Sequence, residues 1–214
     1  MKKRLFDIAL AMSSSPLVTI LIIIECIMVA LDLKEWPIYI QKRIGRGWAE
    51  FYVCKIKSIP NDRRVICNSP EESDQADEQA TSFTRKLRRL KLDEIPQILV
   101  NILAGSMSFV GPRPYKPEHV DRDYIPGKLC ILPGLTGLEQ IYRLTISLEN
   151  SGRRADKERI QELNEFYGAY GCVWIDIWII IRTLQLLLTK TFRTISIFEG
   201  KLFKGFEQTL QPAA

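Results

Sequence analysis

The chain has 214 residues with a net charge of +5, one histidine and five cysteines, a length that suits one domain together with a membrane anchor. A single histidine argues against a histidine triad or a histidine-rich metal site. The cysteines are odd in number and lack a Cys-x-x-Cys spacing, which argues against a disulfide framework or a zinc site and favours reduced cytosolic thiols.

The amino terminus predicts a membrane anchor over residues 1–34. A 24-residue apolar run, Ile8 to Leu31, follows a basic start, and it is broken by Ser13–Pro16 and interrupted once by Glu25. A bilayer is spanned by about 20 apolar residues, and the run is too long for the core of a signal peptide.

The proline in this run indicates how the anchor is arranged. Pro16 removes a backbone hydrogen bond, and the hydroxyl of Ser15 can satisfy the carbonyl that is freed. Basic residues on both sides of the run favour the cytoplasm for both of its ends. We therefore expect a re-entrant helix-break-helix at Ser15 and Pro16 that dips into one leaflet and returns. An ordinary kinked spanning helix is the alternative.

Two short β-prone runs, Ile38–Gly45 and Phe51–Lys57, predict a hairpin. Cations on its strands, among them Arg43 and Lys57, could neutralise a nucleotide diphosphate, although surface cations need no such role. The polar stretch from Asn61 to Ser82 is locally acidic and predicts a mobile, solvated linker that runs into a helix start.

The stretch from Thr84 to Pro114 contains the groups on which the functional interpretation depends. Apolar residues at helical spacing predict a helix that begins at Pro96 and ends in a left-handed cap at Gly105. Asp93 and Glu94 then lie at its amino terminus. The apolar positions are Ile95, Ile98, Leu99, Ile102 and Leu103.

A basic cluster precedes the two carboxylates: Arg85, Lys86, Arg88, Arg89 and Lys91. A helix start beside cations can bind a phosphate while a carboxylate stays ionised and nucleophilic, so this combination predicts phosphate chemistry. Taken singly, the acidic pair is typical of a helix cap, the basic run of a solvated face, and Gly111–Pro114 of a rigid turn.

The carboxyl-terminal half predicts a loop and two helices. Ile131–Ile141 is a rigid loop near a ligand or a simple turn. Asp156–Tyr167 is amphipathic, with inward positions Ile160, Leu163, Phe166 and Tyr167.

The run Val173–Leu188 is apolar but contains Asp176 and Arg182, two charges that disfavour a buried span. Its tryptophans, Trp174 and Trp178, favour a helix lying on the bilayer surface, with a core helix as the alternative. Together the elements predict an α/β fold, mixed and helix-rich, with helices around a small sheet. We expect an anchor (1–34), a catalytic domain (35–190) and a tail (191–214).

The order of these motifs resembles the bacterial sugar transferase family, the monotopic polyprenyl-phosphate phosphoglycosyl transferases. Members have a Leu-Arg segment, Leu-Asp-Glu-Leu-Pro-Gln, Asn-Val-Leu-Lys-Gly-Asp-Met-Ser and Val-Gly-Pro-Arg-Pro. The segments here are Leu87–Arg88, Leu92–Gln97, Asn101–Ser108 and Val110–Pro114. Further matches are Arg4, Asp7, Ser15 and Pro16 in the anchor, Gln41, Arg43, Gly45, Lys55 and Lys57 in the hairpin, and Asp176.

Two departures from the family pattern stand out. Ser106 occupies a place where the family usually has aspartate, which removes a carboxylate that could support the site or contact a metal. Tyr142–Leu144 replaces a family Asn-Gly-Arg, so Arg143 lies one position earlier than the family arginine. If that arginine binds substrate, its shift is where substrate choice could differ.

The resemblance implies a reaction between a nucleotide-diphosphate sugar, expected to be a UDP-sugar, and polyprenyl (undecaprenyl) phosphate. It implies Asp93 as the nucleophile that forms a covalent phospho-sugar and releases UMP, with Glu94 as metal or general-base partner. Mg²⁺ is the implied cofactor, with Asp93 and Glu94 as its ligands. The implied phosphate-binding residues are Arg88, Arg113, Lys57, Arg43 and Arg143, and the implied supporting residues are Gln97, Pro112, Pro114 and Asp176.

The resemblance also implies a place in the cell. We expect the bacterial inner membrane, with the catalytic domain on the cytoplasmic face, in the first step of exopolysaccharide or lipopolysaccharide synthesis. The expected partners are the bilayer and downstream glycosyltransferases, with a homodimer as one option. The sugar, the nucleotide and the oligomeric state are not readable from the sequence.

Two rival functions stay open. One is a catalytically silent relative that binds lipid phosphate or organises polysaccharide assembly, which Ser106 and the altered 142–144 segment motivate. The other is a nucleic-acid or anionic-lipid binder that uses the Arg85–Lys91 cluster. Because that binder has no use for the carboxylate pair that follows the cluster, we expect no nucleic acid as a partner.

Overall fold

The computed structural model describes residues 2–61, 79–119, 130–148 and 155–192. Its first element is helix α1 (Lys2–Leu33), which contains Pro16. By length and composition α1 could cross a membrane, and no other helix in the described ranges could. Instead of the predicted break at Ser15 and Pro16, α1 is one helix that continues through the proline, and the return of both its ends to one side of the bilayer stays a prediction.

Serine hydroxyls explain how α1 continues past Pro16. The proline has no N–H to donate to the carbonyl of Met12, four residues earlier. Ser15 Oγ donates to that same carbonyl at 2.8 Å, and Ser14 Oγ donates to the carbonyl of Leu10 at 2.8 Å. The predicted role of serine is confirmed, and it removes the need for a break.

The predicted hairpin is confirmed. Strands β1 (Ile38–Ile44) and β2 (Glu50–Ile56) pair antiparallel, with Ile38 opposite Ile56 and Ile44 opposite Glu50. An additional bridge joins Ile44 to Tyr115, with both N–H···O distances 3.0 Å. This bridge fixes the hairpin against the segment that contains Arg113.

Helix α2 (Ser82–Arg89) begins where the sequence predicts a helix start. Thr81 is its N-cap: Thr81 Oγ1 accepts from the Thr84 N–H, and Thr84 Oγ1 accepts from the Thr81 N–H, each at 3.1 Å. This reciprocal pair satisfies two amide donors at the helix start. The predicted linker before it falls mostly on residues 62–78, outside the described ranges.

A helical segment at 96–104 follows, which we call the central helix. Before it, Leu92–Glu94 forms a 3₁₀ turn, and within it Ile98–Ile102 is π-helical. Pro96 stands in the first turn and Gly105 ends the helix at φ +86°, as predicted. The N–H groups of residues 105, 106 and 107 all lie within 3.2 Å of the Asn101 carbonyl oxygen.

The predicted helix-rich fold with a small sheet is confirmed, and the described residues contain a second two-stranded sheet beside the hairpin. The second sheet pairs β3 (Ser108–Val110) with β4 (Gly134–Thr136) in parallel. The loop predicted over Ile131–Ile141 therefore contains a strand. This segment passes so close to Gly111 that a Cβ on Gly111, Gly134 or Gly137 would collide with backbone atoms of the opposite segment.

Three helices complete the core: α3 (Leu138–Leu148), α4 (Lys157–Tyr170) and α5 (Val173–Phe192). Asp156 caps α4, and Ile160, Leu163 and Tyr167 are buried, as predicted. Ile179 and Leu186 of α5 are fully buried against β3, α3 and Ala11 of α1.

The two charges on α5 do not prevent one face of the helix from packing into the core, which was the alternative that the sequence left open, and a position at the bilayer surface stays a prediction. Asp176 is completely buried and Arg182 is 8% exposed. Lys3 lies 2.6 Å from Asp176, so the carboxylate is paired rather than exposed at a membrane surface. The opposite face of α5 is apolar and exposed at Trp174, Ile181, Leu184 and Leu188. The helix is thus a core helix with a second, uncovered apolar face.

Candidate functional site

A cavity of about 330 Å³ lies between the hairpin, the central helix, the β3–β4 sheet and α5. Charged groups converge on one part of its wall: Arg43, Lys55, Lys91, Glu94 and Arg113. Much of the remaining wall is apolar. Pockets that bind small molecules measure about 300–1,000 Å³ and combine an apolar wall with a few polar groups, so this cavity is the candidate site.

Glu94 is the only carboxylate in the described wall of this cavity. Its Oε1 lies 2.7 Å from Lys55 Nζ and 3.7 Å from Lys91 Nζ. Burial favours the protonated form, but Lys55, Lys91 and Arg113 outweigh it and hold the pKa of Glu94 far below its usual range. Glu94 is therefore ionised at neutral pH.

Asp93 occupies a different environment. It is buried, it does not line the cavity, and among the described residues its Oδ1 has no hydrogen-bond partner. Successive side chains of a 3₁₀ turn point about 120° apart, which explains why only one member of the pair faces the cavity. Burial, and then the charge on Glu94, raises the pKa of Asp93.

Two arginines bring positive charge to the cavity. The Ile44–Tyr115 bridge holds the strand that contains Arg43 beside the segment that contains Arg113. Arg43 is 5% exposed, and its Nη2 donates to Gln41 Oε1 at 2.6 Å. Burial, and then Arg113, lower the pKa of Arg43 to about 10, so the guanidinium remains charged at neutral pH. These like charges, one buried and one partly buried, repel each other, and in the described part of the cavity wall Glu94 is the only anion that offsets them.

Other predicted phosphate-binding residues lie outside the cavity wall. Lys57 Nζ is ion-paired with Glu35 at 3.0 Å and does not line the cavity. Arg143 Nε pairs with Glu139 Oε1 at 3.1 Å on α3. Arg88 Nη1 donates to Ser58 Oγ at 3.2 Å, and its charge acts on Asp93. The structure thus brings Arg43 and Arg113 together in the cavity wall, and Lys57, Arg88 and Arg143 do not line it.

Of the predicted supporting residues, Gln97, Pro112 and Pro114 lie in or next to the cavity wall. Gln97 and Pro114 line the cavity, and the carbonyl of the buried Pro112 accepts from the Gly134 N–H at 3.0 Å. Ser106 does not line it: Ser106 Oγ contacts the carbonyl and the side-chain amide of Asn101, both at 3.2 Å. The serine at this position therefore stabilises the end of the central helix.

Sequence reasoning missed Lys55 as a site residue. Lys55 and Lys57 are two residues apart, so strand alternation alone gives them the same direction. The structure separates them, because β2 ends at Ile56 and only Lys55 reaches Glu94. The charge complementarity of Lys55 and Glu94 is a signal, but it is readable only once the hairpin is placed against the 3₁₀ turn.

The first turns of α1 are hydrogen-bonded to the end of the central helix and to the start of β3. Arg4 donates to the carbonyls of Ile102 and Leu103, at 2.5 and 2.9 Å, and so caps the central helix. Asp7 accepts from Ser108 Oγ at 3.0 Å and from the Phe109 N–H at 3.1 Å. The anchor thus holds both the end of the central helix and the start of β3.

The carboxylates can be tested as ligands for a divalent cation. Mg²⁺ is commonly held by one or two carboxylates together with substrate phosphates. Asp93 Oδ1 is an oxygen without a hydrogen-bond partner in the described residues, which fits this role. Glu94 Oε1 is already engaged by two lysines. The described residues contain no group of three His, Cys, Asp or Glu side chains arranged as a metal site, so a cation here would depend on the phosphates for further ligands.

Comparison with known proteins agrees with this geometry. The bacterial sugar transferase family matches residues 1–190. The UDP-N-acetylgalactosamine-undecaprenyl-phosphate N-acetylgalactosaminephosphotransferase of Aeromonas hydrophila is 27% identical over 198 residues, 87% of this chain and 44% of that protein. The UDP-glucose:undecaprenyl-phosphate glucose-1-phosphate transferases of Caulobacter vibrioides and Escherichia coli are 31% and 35% identical.

These two alignments each cover 199 residues, which are 88% and 85% of this chain and 70% and 39% of the two relatives. The chain therefore spans less than half of the Aeromonas and Escherichia proteins. The family match, by contrast, includes α1, the hairpin, the central helix and nearly all of α5. The chain belongs to the bacterial sugar transferase family.

Proposed function

We propose that this protein transfers a sugar 1-phosphate from a UDP-sugar to undecaprenyl phosphate, with Asp93 as the nucleophile. The observation that carries the proposal is the Asp93–Glu94 pair at the start of the central helix, next to a cavity with four cations in its wall. Both substrates are anionic, so the site must cancel their repulsion before phosphorus can react. The relatives named above act on UDP-sugars and undecaprenyl phosphate, which supports the substrate class.

The two carboxylates suit different roles. Glu94, held ionised by Lys55 and Lys91, orders these lysines around the cavity. Asp93 has an oxygen that no described group binds, and it must turn toward the cavity edge to attack. Arg43 and Arg113 hold phosphate oxygens in this proposal. When bound, Mg²⁺ would be held by Asp93, with Glu94 beside it, and would neutralise charge on the phosphates.

The reaction then proceeds in two displacements. A carboxylate oxygen of Asp93 bonds to the β-phosphorus, and the bond from that phosphorus to the bridging oxygen breaks, so UMP leaves with the electron pair. An oxygen of undecaprenyl phosphate next bonds to the same phosphorus, and the bond to Asp93 breaks. The carboxylate is regenerated without net proton transfer, and ping-pong kinetics follow. The product is a lipid-linked sugar, on which downstream glycosyltransferases would act.

We infer that α1 is re-entrant and that the catalytic domain lies on the cytoplasmic face of the inner membrane. Arg4 and Asp7, before Pro16, contact the same domain as Val29 and Leu33, after it. A helix that crossed the bilayer would carry one of these ends to the opposite side. The basic residues of the first turn favour the cytoplasm as well.

The test is release of UMP from a panel of UDP-sugars by the detergent-solubilised protein with Mg²⁺ and undecaprenyl phosphate. We expect release with one or a few sugars, a loss of at least about a thousandfold in Asp93→Asn, and loss on chelation of the cation. Asp156→Asn is the matched control, because Asp156 caps α4 far along the chain and is exposed. Folded protein that releases no UMP from any donor would instead favour the catalytically silent relative.

A further inference from the structure

The part of the cavity wall that α5 contributes differs from the part that carries the charges. Four α5 residues line it at positions 180, 183, 184 and 187, a spacing of one helical face. Opposite them lie Leu135 and Leu144. Apart from the threonine at 183, the α5 stripe is aliphatic, so the cavity wall has a cationic part and an aliphatic part, which we call the cationic end and the hydrocarbon end.

Most polar groups near the hydrocarbon end are already engaged, and among the described residues there the exception is Gln140 Oε1, which is buried without a hydrogen-bond partner. Thr183 Oγ1 donates to the Ile179 carbonyl at 2.8 Å, which leaves Thr136 to donate to Thr183 at 2.6 Å. The side-chain nitrogen of Gln140 faces two backbone carbonyls, those of Gly111 and Gly134, at 3.4 and 3.5 Å. A sugar or a nucleotide base placed here would find one free acceptor, Gln140 Oε1, and most of its own donors and acceptors would lack partners, which is costly.

Leu184 marks an opening from the hydrocarbon end to the outside. It lines the cavity and is nevertheless 56% exposed. Ile181 and Leu188, on the neighbouring stripe of α5, are also exposed but do not line the cavity. The cavity wall is therefore continuous, through Leu184, with the uncovered apolar face of α5, and a hydrocarbon chain can pass from one to the other without entering water.

We propose that the hydrocarbon end of the cavity binds the first isoprene units of the prenyl phosphate acceptor, and that the remaining chain leaves past Leu184 toward the bilayer. The inference rests on the proposed function and adds the position of the acceptor chain. An anionic head among four cations and an apolar chain beside the α5 stripe match the two ends of the cavity. The volume of about 330 Å³ holds only a short part of a long lipid, as an open end requires.

The test uses variants at Leu184 with matched variants on the same helix. Leu184→Glu places a charge in the opening, whereas Ile181→Glu and Leu188→Glu place the same charge on the outer face alone. Binding of geranylgeranyl phosphate to the full chain in detergent is measured by native mass spectrometry, with inorganic phosphate as the probe that lacks a chain. We expect at least about tenfold weaker binding of the prenyl phosphate in Leu184→Glu. We expect changes within about twofold in the two outer-face variants.

A second pair of variants guards against a folding defect. Leu184→Trp fills the opening without a charge, and Leu188→Trp is its control. Equal prenyl phosphate binding in Leu184→Glu and Ile181→Glu, or unchanged binding in Leu184→Trp, would overturn the inference. Inorganic phosphate should bind all variants equally.

The UMP burst from the UDP-sugar, measured without acceptor, separates the two levels of the proposal. A burst in wild type and in Ile181→Glu, combined with weaker prenyl phosphate binding in Leu184→Glu alone, supports both. No burst in wild type refutes the proposed function, while the binding comparison still decides whether the cavity accepts a prenyl chain.

Discussion

Lys55 and Lys57 are two residues apart at the end of the hairpin, but they pair with different carboxylates. Lys55 and Glu94 are each about 15% exposed in their side chains and lie 2.7 Å apart. Lys57 pairs instead with Glu35, away from the cavity wall. The sequence offers both lysines equally, and only the placement of the hairpin distinguishes them.

Replacing Lys55 should therefore cost more than replacing Lys57. In Lys55→Met the largely buried Glu94 keeps the more distant Lys91 and the charge of Arg113, so we expect a loss of about 1–3 kcal/mol in the free energy of unfolding and at least about tenfold in UMP release. Thermal unfolding in detergent and the UMP assay measure the two effects. A greater loss of UMP release in Lys57→Met than in Lys55→Met would contradict this placement.

Tyr167 gives a prediction for alkaline pH. Its hydroxyl lies within hydrogen-bonding distance of Asp176 Oδ1 and of the Val110 carbonyl, which is 3.1 Å away. Burial, and then the hydrogen bond to Asp176, raise the pKa of Tyr167 far above its usual value. The unfolded chain releases this proton near pH 10, and the folded chain retains it. Stability that is fully present below about pH 10 should therefore decline as the pH rises further.

The variant Tyr167→Phe separates these effects. We expect it to lose about 1–3 kcal/mol at neutral pH, because the buried Asp176 loses a donor. It should also show a weaker decline of stability above pH 10 than wild type. Denaturant titrations in detergent across that range provide the measurement, and parallel alkaline curves for the two proteins would refute the assignment.

At the scale of elements, glycines set the distance between the two loops that form the second sheet. A Cβ at Gly111, Gly134 or Gly137 would meet backbone atoms, which cannot move aside as a side chain can. At Gly168 in α4 the nearest atom is instead Cδ1 of Ile131, 3.0 Å away, at the end of a flexible side chain.

We expect Gly134→Ala to destabilise the protein by at least about 3 kcal/mol and to distort the cavity wall at Thr136. Gly168→Ala should be nearly neutral or stabilise by up to about 1 kcal/mol, because alanine favours the helix. The melting temperatures of the two variants in detergent, each compared with wild type, measure these changes in stability. Similar values for the two would mean that the loops can separate without cost.

Much of the local structure could be predicted from the sequence because it depends on local rules. Pro96 and Gly105 mark the ends of the central helix, and the alternation in β1 and β2 gives the hairpin. The parallel pairing of β3 with β4 could not be predicted, since each strand has three residues and the pairing depends on glycine contacts between distant segments. The burial of Asp176 on α5 could not be predicted either, because its partner, Lys3, lies 173 residues away.

At the scale of the whole molecule, the position of the amino terminus tests the proposed topology. If α1 is re-entrant, Lys2 lies on the same side of the membrane as the exposed Cys172. Two single-cysteine proteins are compared: one keeps Cys172 alone, and the other has Lys2→Cys with all natural cysteines replaced. Both should react with a membrane-impermeant thiol reagent in inverted vesicles and not in right-side-out vesicles. Labelling from the opposite face would establish a spanning helix.

The contacts of Arg4 and Asp7 bear on whether this enzyme can exist away from the membrane. Without α1, the carbonyls of Ile102 and Leu103 lose the arginine that caps them, and the Phe109 N–H loses its acceptor. A fragment cut after Leu33 would retain every proposed catalytic side chain and still lack what holds the site together. We expect a protease that severed the anchor to inactivate the protein rather than liberate it, which would confine the proposed activity to the surface on which the proposed lipid acceptor resides.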